Sequence, residues 1–588
     1  MAEGALRIGI DVGGTNTDAV ILDAADRVVA KAKRPTTPDV TEGLRAALDA
    51  VLAQLPGSDV SDPLTSGRAA LDELVSGQTA SDPLTSGRAA LAPLVSGRDI
   101  SDPLTSGRDA SDSRGSWGRV SRVMLGTTHA TNAILERRNL GRVAVLRLGA
   151  PATTAVPPLC DWPGDLREAV SAGEAIVPGG HYVDGREIGP LDLGAIRRFL
   201  DGVEADAVAV TSVFSPANAE HERAVEELVR REYGLPVSVS HEIGSLGLLE
   251  RENATVLNAA LYGVAAHVTE ALVTALAERG LAARPYLAQN DGTLMTVEHA
   301  ARLPVSTIGS GPANSLRGAA FLSGVGDAIV ADVGGTSTDL GVLVGGFPRE
   351  SAAAVEIGGV LTNFRMPDIL AIALGGGTVV RREGVGPDSV GYRIAEEALV
   401  FGGTTTTMTD VAVAAGRTPP GTSGWRERLR AATGADATTG QISDISEIFR
   451  DTVERAIAIA DGMVVDAVDR MALRRADRPL VAVGGGAFLL PAKIPGASRV
   501  IRPEHAEVAN AVGAAIALAS GRIDTILPAG ESRSKAIERV KEEAAARAVA
   551  AGADPGQVEI VDLLEVPLSY LSEPAVRVHV KAAGPLAR

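Results

Sequence analysis

Residues 11–22 read DVGGTNTDAVIL and residues 332–343 read DVGGTSTDLGVL, so eight of the twelve positions are identical. In each copy an apolar run precedes the aspartate and another follows the turn. The pattern predicts a β-hairpin at each place, with glycines at the tip because glycine can adopt the positive φ that many tight turns need. The chain therefore contains two equivalent predicted turns, 321 residues apart.

The Gly-Gly-Thr tips suit a polyphosphate. Backbone N–H groups of glycine approach phosphate oxygens without a Cβ in the way, and threonine hydroxyls supply further donors. Two such tips that face each other across a cleft would hold the β- and γ-phosphates from both sides. The residues predicted to bind the nucleotide on this basis are Gly13, Gly14, Thr15, Asn16, Gly334, Gly335, Thr336 and Ser337.

Asp11 and Asp332 end the apolar runs that lead into the two turns. A carboxylate repels phosphate, so these residues fit a phosphate site only if a divalent cation lies between them. Mg²⁺ held by one or two carboxylates and several waters is the expected choice. We therefore predict that Asp11 and Asp332 are metal ligands and catalytic residues. The alternative, two ordinary tight hairpins without a ligand, does not explain an aspartate at the same place in both copies.

The composition limits the class of protein. The 588 residues include 56 Lys and Arg against 73 Asp and Glu, a net charge of −17, which argues against a nucleic-acid partner. The single cysteine, Cys160, excludes intramolecular disulfides and cysteine-rich metal sites. Apolar runs are shorter than the roughly 18 residues of a membrane span, and the N-terminus enters an apparent strand at once. We expect a cytoplasmic protein without a membrane segment or signal peptide.

Residues 61–110 form a ten-residue repeat, with a Ser-Gly pair in every unit and a proline in most. Such units are too short for a helical solenoid, and Gly and Pro interrupt both helices and strands. The repeat predicts an exposed insert of low order at 56–117, and a β-solenoid patch or partner-binding arm is the alternative. A long surface loop costs little closure entropy, so the host domain should tolerate it.

Several motifs together carry a family resemblance. DVGGTNTD and DVGGTSTD resemble the phosphate motifs of the actin, sugar kinase and Hsp70 superfamily. GTTHATNAILERR (126–138), ERENATVLNAAL (250–261) and GSGPANSLRGAAFLSG (309–324) resemble the hydantoinase A / 5-oxoprolinase family, in its shorter bacterial branch. The resemblance runs from about residue 7 to 524, apart from the insert. It implies an α/β fold of two ribonuclease-H-like, actin-like ATPase lobes around an ATP cleft, with ATP and Mg²⁺ as cofactors.

The predicted domains follow from these motifs. Residues 1–245 would form the first lobe, 246–525 the second ATPase lobe, and 526–588 a small C-terminal α/β unit. Within the first lobe, two apolar segments flank an amphipathic helix at about 216–234, which predicts a parallel βαβ unit. A further long helix starting near residue 251 is expected to cross between the lobes.

Three other segments are candidates for the site. The resemblance implies adenosine binding by Gly484, Gly485 and Gly486, and a tight strand-to-helix turn is the alternative. GTTHATN should open a helix whose N–H groups favour an anion, which makes Thr127, Thr128 and Asn132 substrate candidates. His129 would orient a substrate carbonyl or shuttle a proton, and a purely structural histidine is the alternative. GSGPANS (309–315) is predicted as a loop that enters a helix and either contacts phosphate or substrate or only caps that helix.

The resemblance implies an ATP-dependent amidohydrolase component that acts on a cyclic amide or imide such as a hydantoin or 5-oxoproline. The γ-phosphoryl group would move to the carbonyl oxygen, and water would then open the ring. The family also implies a second hydantoinase-type subunit, and a homodimer stays open. Two alternatives remain: a non-catalytic ATP-driven switch or reactivase, and a small-molecule kinase.

Overall fold

The computed structural model describes residues 5–36, 40–55, 116–244, 246–351, 354–419, 421–433, 447–472, 478–528, 530, 533–568 and 574–587. The predicted repeat at 61–110 lies outside these residues. The chain is described again from a short 3₁₀ turn, Ser116–Arg119, which leads into the next strand.

The chain starts with an antiparallel meander followed by a helix and a parallel strand. β1 and β2 are buried along almost their whole length, because apolar residues occupy both faces of these central strands. The elements are β1 (Leu6–Val12), β2 (Asn16–Leu22), β3 (Val28–Pro35), α1 (Val40–Leu52), β4 (Val120–Thr127) and α2 (His129–Glu136).

A separate four-stranded parallel sheet follows, in the order β6-β5-β7-β8. The predicted βαβ unit is confirmed as β7-α5-β8, where α5 buries Val225, Leu228 and Val229 against the sheet. The elements are β5 (Val143–Ala150), α3 (Gly164–Val170), β6 (Ser171–Pro178), α4 (Leu193–Leu200), β7 (Ala207–Ser212), α5 (Glu220–Glu232) and β8 (Val237–Val239).

The chain then returns to the first sheet through two consecutive helices, α6 (Leu248–Ala260) and α7 (Tyr262–Glu278). The single long helix predicted here is wrong, because the helices meet at an angle of 48° around Leu261. α6 packs on the inserted sheet and α7 on the first sheet. Among the described helices none alone is long and apolar enough to span a membrane; this bent pair meets that criterion by length and composition. The next elements are β9 (Arg284–Ala288), β10 (Leu294–Thr296) and α8 (Val297–Arg302).

The second half repeats the meander of the first. Its opening helix starts at residue 310, so the loop predicted for GSGPANS is wrong, and Pro312 is tolerated because it lies in the first turn. The elements are α9 (Ser310–Ser323), β11 (Ala328–Val333), β12 (Thr338–Val344), β13 (Phe347–Pro348), β14 (Val355–Ile357), β15 (Val360–Thr362), β16 (Ile369–Ile372), β17 (Thr378–Arg381) and β18 (Gly384–Ser389).

Helices cover the far face of this second sheet. α11 and α13 supply most of the apolar side chains packed there. The elements are α10 (Ile394–Glu397), α11 (Met408–Ala414), α12 (Ser423–Thr433), α13 (Glu447–Met471), β19 (Arg478–Val483) and β20 (Ala497–Ile501). The chain then ends with α14 (Ala509–Ala515), β21 (Ala519–Pro528), α15 (Arg533–Ala550), β22 (Glu559–Leu568) and β23 (Ala575–Gly584).

The two large sheets share one topology. The first has the order β22-β23-β21-β10-β9-β4-β1-β2-β3, and the second the order β13-β12-β11-β19-β20 with β16 also paired to β12. In each, an antiparallel hairpin (β1-β2, β11-β12) is followed by parallel strands on the other side (β4 and β9, β19 and β20). This repeated order is that of two ribonuclease-H-like lobes, and the predicted fold class is confirmed.

Strand pairing divides the chain differently from the predicted boundaries. β9 and β10 lie beyond residue 245, yet they belong to the first sheet. The C-terminal segment is α/β as predicted, but β21, β22 and β23 extend that same first sheet, so it is not a separate unit. The boundaries at 245 and 525 therefore cut through one sheet, because pairing between distant segments leaves no trace in the local sequence pattern.

Helices α9 and α14 lie between the two sheets and cross each other. α9 packs against the second sheet and α14 against the first. At the crossing, a Cβ on Gly318 would lie 1.8 Å from the carbonyl oxygen of Ala509, and one on Gly513 would lie 1.9 Å from that of Asn314. The two glycines thus allow the helix backbones to touch, which fixes how the lobes meet.

Candidate functional site

The two hairpin tips have the same local geometry. The Gly13 N–H donates to the Asn16 carbonyl at 3.0 Å, and the Gly334 N–H donates to the Ser337 carbonyl at 2.9 Å. None of the four tip glycines has a positive φ, so the positive φ expected of them is wrong. A Cβ on Gly14 would meet nothing within 4 Å. The absence of a side chain here leaves the backbone of the tip open to the cleft.

The tips converge. A Cβ on Gly335 would lie 3.4 Å from Cγ2 of Thr15, so the second tip touches the first. Behind the second tip, the Gly376 and Gly377 N–H groups donate to the carbonyls of Gly334 and Gly335 at 3.0 and 2.6 Å. This glycine segment therefore fixes the backbone of the second hairpin.

A cleft opens where the tips meet. Of the residues predicted from sequence, its lining contains Asp11, Gly13, Gly14, Thr15, Asn16, Thr128, Asp332, Gly334, Gly335, Gly484 and Gly485. The other described residues that line it are Asp18, Lys33, Gly311, Pro312, Ser315, Asp339, Glu507, Ala509 and Asn510. Thr336, Ser337, Gly486, Thr127, His129 and Asn132 were predicted for the site but are not part of this lining.

Amide groups from both crossing helices hold the acids of the first hairpin. Asn314 donates to Oδ1 of Asp11 at 3.2 Å, and Asn510 donates to Oδ2 of the same residue at 3.0 Å. Burial raises the pKa of Asp11 to about 6, against the lowering effect of the two amides. Asp18 forms an ion pair with Lys33 at 2.8 Å, yet burial also raises its pKa above the usual range.

The acids of the second hairpin have fewer partners. Ser315 donates to Oδ2 of Asp332 at 2.5 Å, and burial raises the pKa of Asp332. Burial, followed by the nearby Asp332 charge, raises the pKa of Asp339 to about 7. Burial, which removes water from these carboxylates, is the main cause of all four raised pKa values.

The residues present fit a divalent cation. Five carboxylates line one cleft, four of them on the two hairpins, and Lys33 is the sole cationic side chain among the described residues that line it. Oxygen ligands of this kind are those that Mg²⁺ takes, and water completes its coordination shell. Asp11 and Asp332 lie at matching positions on the two sides, as expected for residues that share one ion.

The late glycine segment is packed against the second hairpin. Gly484 has a φ of +85°, and a Cβ there would lie 2.3 Å from Oδ1 of Asp332. The Gly486 N–H donates to the Val333 carbonyl at 2.8 Å, so that residue supports the hairpin from outside the cleft. Gly485 lines the cleft, and a Cβ built on it would have no other atom within 4 Å. Adenosine binding at 484–486 stays a prediction.

His129 faces a different place from the one expected. It lines a small apolar cavity formed with Val264, Val268 and Leu287, separate from the cleft. Its Nδ1 lies 2.6 Å from Oγ1 of Thr127, and burial lowers its pKa to about 4. The ring is therefore neutral at neutral pH, and its position favours the structural alternative for this residue.

A second group of potential metal ligands, His181, Glu187 and His221, lies at the edge of the inserted sheet, with ligand atoms within 4.8 Å of one another. The Gly180 N–H donates to Nδ1 of His221 at 3.0 Å, so the proton of the neutral ring resides on Nε2, which faces Glu187 at 3.3 Å. That tautomer leaves no lone pair for a metal ion. The group is explained as a hydrogen-bonded link between a loop and α5.

Comparison with known proteins agrees with this architecture. The family model described as hydantoinase/oxoprolinase matches residues 251–522, and the model of the hydantoinase/oxoprolinase N-terminal region matches 7–113 and 100–233. The chain belongs to the hydantoinase/oxoprolinase family.

Two curated relatives of this family member are enzyme subunits. The acetophenone carboxylase gamma subunit of Aromatoleum aromaticum is 30% identical over 329 residues, which are 51% of this chain and 44% of the relative. The caprolactamase subunit alpha of Pseudomonas jessenii is 28% identical over 337 residues, 53% of this chain and 47% of the relative. The chain thus spans about half the length of the curated relatives it matches.

Two solved structures share the fold of this family member. The ATP-dependent caprolactamase of Pseudomonas jessenii superimposes with a TM-score of 0.66 at 19% identity, covering 99% of this chain and 88% of that one. A nucleotide-free acetone carboxylase gives a TM-score of 0.63 at 18% identity, with the same coverage. At this identity the likeness concerns the fold.

Sequence reasoning missed Lys33 and Asn510 among the residues of the cleft, whereas Ser315 belongs to the candidate segment 309–315, of which Gly311 and Pro312 also line the cleft. Ser315 and Asn510 lie on the crossing helices, where small residues and the glycines at 318 and 513 signal close packing. That signal could have placed these helices against the hairpins. Lys33 lies opposite Asp18 in the β2-β3 ladder, which the meander pattern could have indicated.

Proposed function

We propose that this chain is the ATP-binding component of an enzyme that activates the carbonyl group of a cyclic amide by phosphoryl transfer. The observation that carries the proposal is the contact of two equivalent Gly-Gly-Thr tips over one cleft that contains five carboxylates. A cleft of this form suits a magnesium-bound triphosphate, because backbone N–H groups can donate hydrogen bonds to the phosphates and the carboxylates can bind the cation.

The roles of the chain's own residues follow from their positions. Asp11 and Asp332 would hold Mg²⁺, which when bound neutralises charge on the phosphates. The tips, residues 13–16 and 334–335, would bind the phosphates through backbone and hydroxyl donors, and Gly484 and Gly485 would bind the adenosine side. Most of the catalytic effect would be positioning and charge stabilisation, as is usual for phosphoryl transfer.

The substrate class is supported by the relatives. One is named a caprolactamase, and its solved structure is called ATP-dependent. An amide carbonyl resists attack because the nitrogen lone pair is delocalised into it. When the amide oxygen attacks the γ-phosphorus, the bond to the β-γ bridging oxygen breaks, ADP leaves and the amide nitrogen loses its proton. Water then adds to the activated carbon, the C–N bond breaks as the nitrogen takes a proton, and an acyl phosphate remains on the opened ring. A second water hydrolyses this acyl phosphate to the carboxylate and releases phosphate.

A partner subunit forms part of the proposal. Both curated relatives are named as subunits, gamma in one case and alpha in the other. The cleft between the hairpins suits a nucleotide, and the cavity beside His129 has a volume of only about 10 Å³, too small for a lactam ring. We therefore assign ring opening to a site completed by a second hydantoinase-type subunit.

ADP release by the purified protein tests the proposal. We would measure it with and without the candidate partner, across hydantoin, 5-oxoproline and caprolactam, with acetophenone plus bicarbonate as a contrasting carbonyl substrate. A lactam or imide should stimulate ADP release in the presence of the partner. If acetophenone with bicarbonate stimulates ADP release and no lactam or imide does, the amide assignment is wrong. If the partner protein stimulates ADP release and no small substrate adds to it, an ATP-driven switch is favoured.

Variants of the two central acids complete the test. Asp11→Asn and Asp332→Asn should each reduce ATP turnover by at least about 100-fold with the fold intact. Asp469→Asn, at an exposed position on α13, is the matched control and should retain wild-type turnover. Full turnover in either cleft variant would remove the assigned cation role.

A further inference from the structure

The charges of the cleft are unbalanced. Among the described residues that line it, five are acidic, namely Asp11, Asp18, Asp332, Asp339 and Glu507, and one, Lys33, is basic. A triphosphate adds further negative charge, of which a single Mg²⁺ offsets two units. Negative charge therefore remains, and the phosphates should lie where Lys33 can offset part of it.

Lys33 is held at the cleft by its strand. It pairs with Asp18 in the β2-β3 ladder, and its Nζ lies 2.8 Å from Oδ1 and 3.0 Å from Oδ2 of that residue. Its side chain is 33% exposed. An ammonium group has three protons. When two of them face the carboxylate oxygens of Asp18, the third can donate to a ligand in the cleft.

The second lobe lacks this cation. Asp339 occupies in the second hairpin the place of Asp18 in the first, and its partner across the β12-β16 ladder is Ala371. The ladder partner of this aspartate is therefore Lys33 in the first lobe and Ala371 in the second. Among the described residues that line the cleft, the one cationic side chain therefore lies on the side of the first hairpin.

We propose that Lys33 binds the terminal phosphoryl group of ATP and so distinguishes ATP from ADP. This inference rests on the proposed function, in which Gly484 and Gly485 of the second lobe hold the adenosine side. A triphosphate that starts there extends its terminal group towards the first hairpin, where Lys33 lies. When Lys33 turns to the phosphate, Asn510 still donates to Oδ2 of Asp18 at 2.9 Å, so this carboxylate keeps a partner.

The test compares nucleotide affinities by titration calorimetry with Mg²⁺, a non-hydrolysable ATP analogue and ADP. In Lys33→Gln we expect the affinity for the ATP analogue to fall about 10- to 100-fold, with that for ADP within about twofold of wild type. Turnover should fall about 100- to 1,000-fold. Lys541→Gln on α15 is the control, because Lys541 lies outside the lining, where it pairs with Glu538 at 2.8 Å, and this variant should keep wild-type ATP preference.

A purely structural role for Lys33 predicts a different result. If the lysine only neutralised Asp18, the affinities for the ATP analogue and for ADP would fall equally in Lys33→Gln. The double variant Asp18→Asn with Lys33→Gln would then recover the affinity for the ATP analogue. Either result, or unchanged affinities in a folded Lys33→Gln protein, overturns the inference. Wild-type protein that binds neither nucleotide overturns the proposed function as well, so the two failures are distinguishable. Lys33→Arg keeps the charge and should retain part of the ATP preference.

Discussion

Asn510 donates from one amide nitrogen to the carboxylates of both Asp11 and Asp18, at 3.0 and 2.9 Å. It lies on α14, about 500 residues away along the chain from the hairpin that it holds. Asn314 on α9 reaches Asp11 from the other helix of the crossing pair. The geometry of the first hairpin therefore depends on how α9 and α14 cross between the lobes.

Removal of this amide should destabilise the protein. In Asn510→Ala, two buried carboxylates lose a donor, and we expect the free energy of unfolding to fall by about 1–3 kcal/mol. Urea denaturation followed by circular dichroism measures it. Asn132→Ala is the control, since the structure shows no side-chain hydrogen bond from Asn132 to any described residue. Equal stability of Asn510→Ala and wild type would show that water replaces the amide without cost.

The glycines at the helix crossing should not tolerate a methyl group. In Gly318→Ala the new Cβ would lie 1.8 Å from a backbone carbonyl, so α9 and α14 must separate, and we expect a loss of at least about 2 kcal/mol or failure to fold. Gly462→Ala in α13 is the matched control, because a Cβ there meets nothing within 4 Å. That variant should gain up to about 1 kcal/mol from helix propensity. Similar stability changes in the two variants would contradict the close crossing.

Contact between the hairpin tips can be tested by a cross-link. In a Cys160→Ser background, Thr15→Cys with Gly335→Cys should form a disulfide under mild oxidation, because a Cβ on Gly335 lies within 4 Å of the Thr15 side chain. The bond would block the cleft, so ATP turnover should stop and return with reductant. Mass spectrometry of peptides identifies the link, and the single-cysteine variants serve as controls. Free thiols after oxidation would mean that the tips are farther apart.

His129 should make the stability of the protein sensitive to acid. Its pKa is lowered to about 4 in the folded state, against about 6.5 in an unfolded chain, so between these values the unfolded state binds more protons. Stability contributed by the neutral ring is complete above pH 6.5 and decreases as the pH falls towards 4. Between pH 7.5 and 5.0, the free energy of unfolding should therefore fall by about 1–2 kcal/mol less in His129→Asn than in wild type.

Chemical denaturation at both pH values measures this difference. Asn132→Ala, on the same helix and without a titratable group, should retain the wild-type pH dependence. If ATP turnover of His129→Asn also equals that of wild type at pH 7.5, the predicted role of His129 as a proton shuttle is wrong. A large loss of turnover with unchanged stability would instead restore that role.

Local repetition made part of this structure predictable. The twin turns at residues 13–16 and 334–337 were recognisable because a hairpin with an aspartate before its tip is encoded by adjacent residues. The positive φ expected of the tip glycines is wrong because the turns close with ordinary dihedral angles. A sequence pattern indicates that a residue without a side chain is needed, but not whether conformation or space requires it.

Long-range pairing explains what the sequence did not indicate. Lys33 belongs to no motif, and its importance emerges only from the β2-β3 register that places it opposite Asp18. The predicted helix from residue 251 is interrupted at Leu261, because its two parts pack on different sheets. The partners of Asp11 come from α9 and α14, and only the crossing of these helices brings them to the hairpin.

The nine-stranded sheet has a consequence for biosynthesis. Its strands come from three distant parts of the chain, so the ribosome makes β1 to β4 first, β9 and β10 later, and β21 to β23 after the second lobe. A nascent chain on the ribosome therefore exposes the bare edge of β10 until β21 emerges, well after the second lobe has been made. Unpaired edges of this kind invite association with other chains. Premature termination before residue 519 should thus yield aggregates in place of a smaller folded protein.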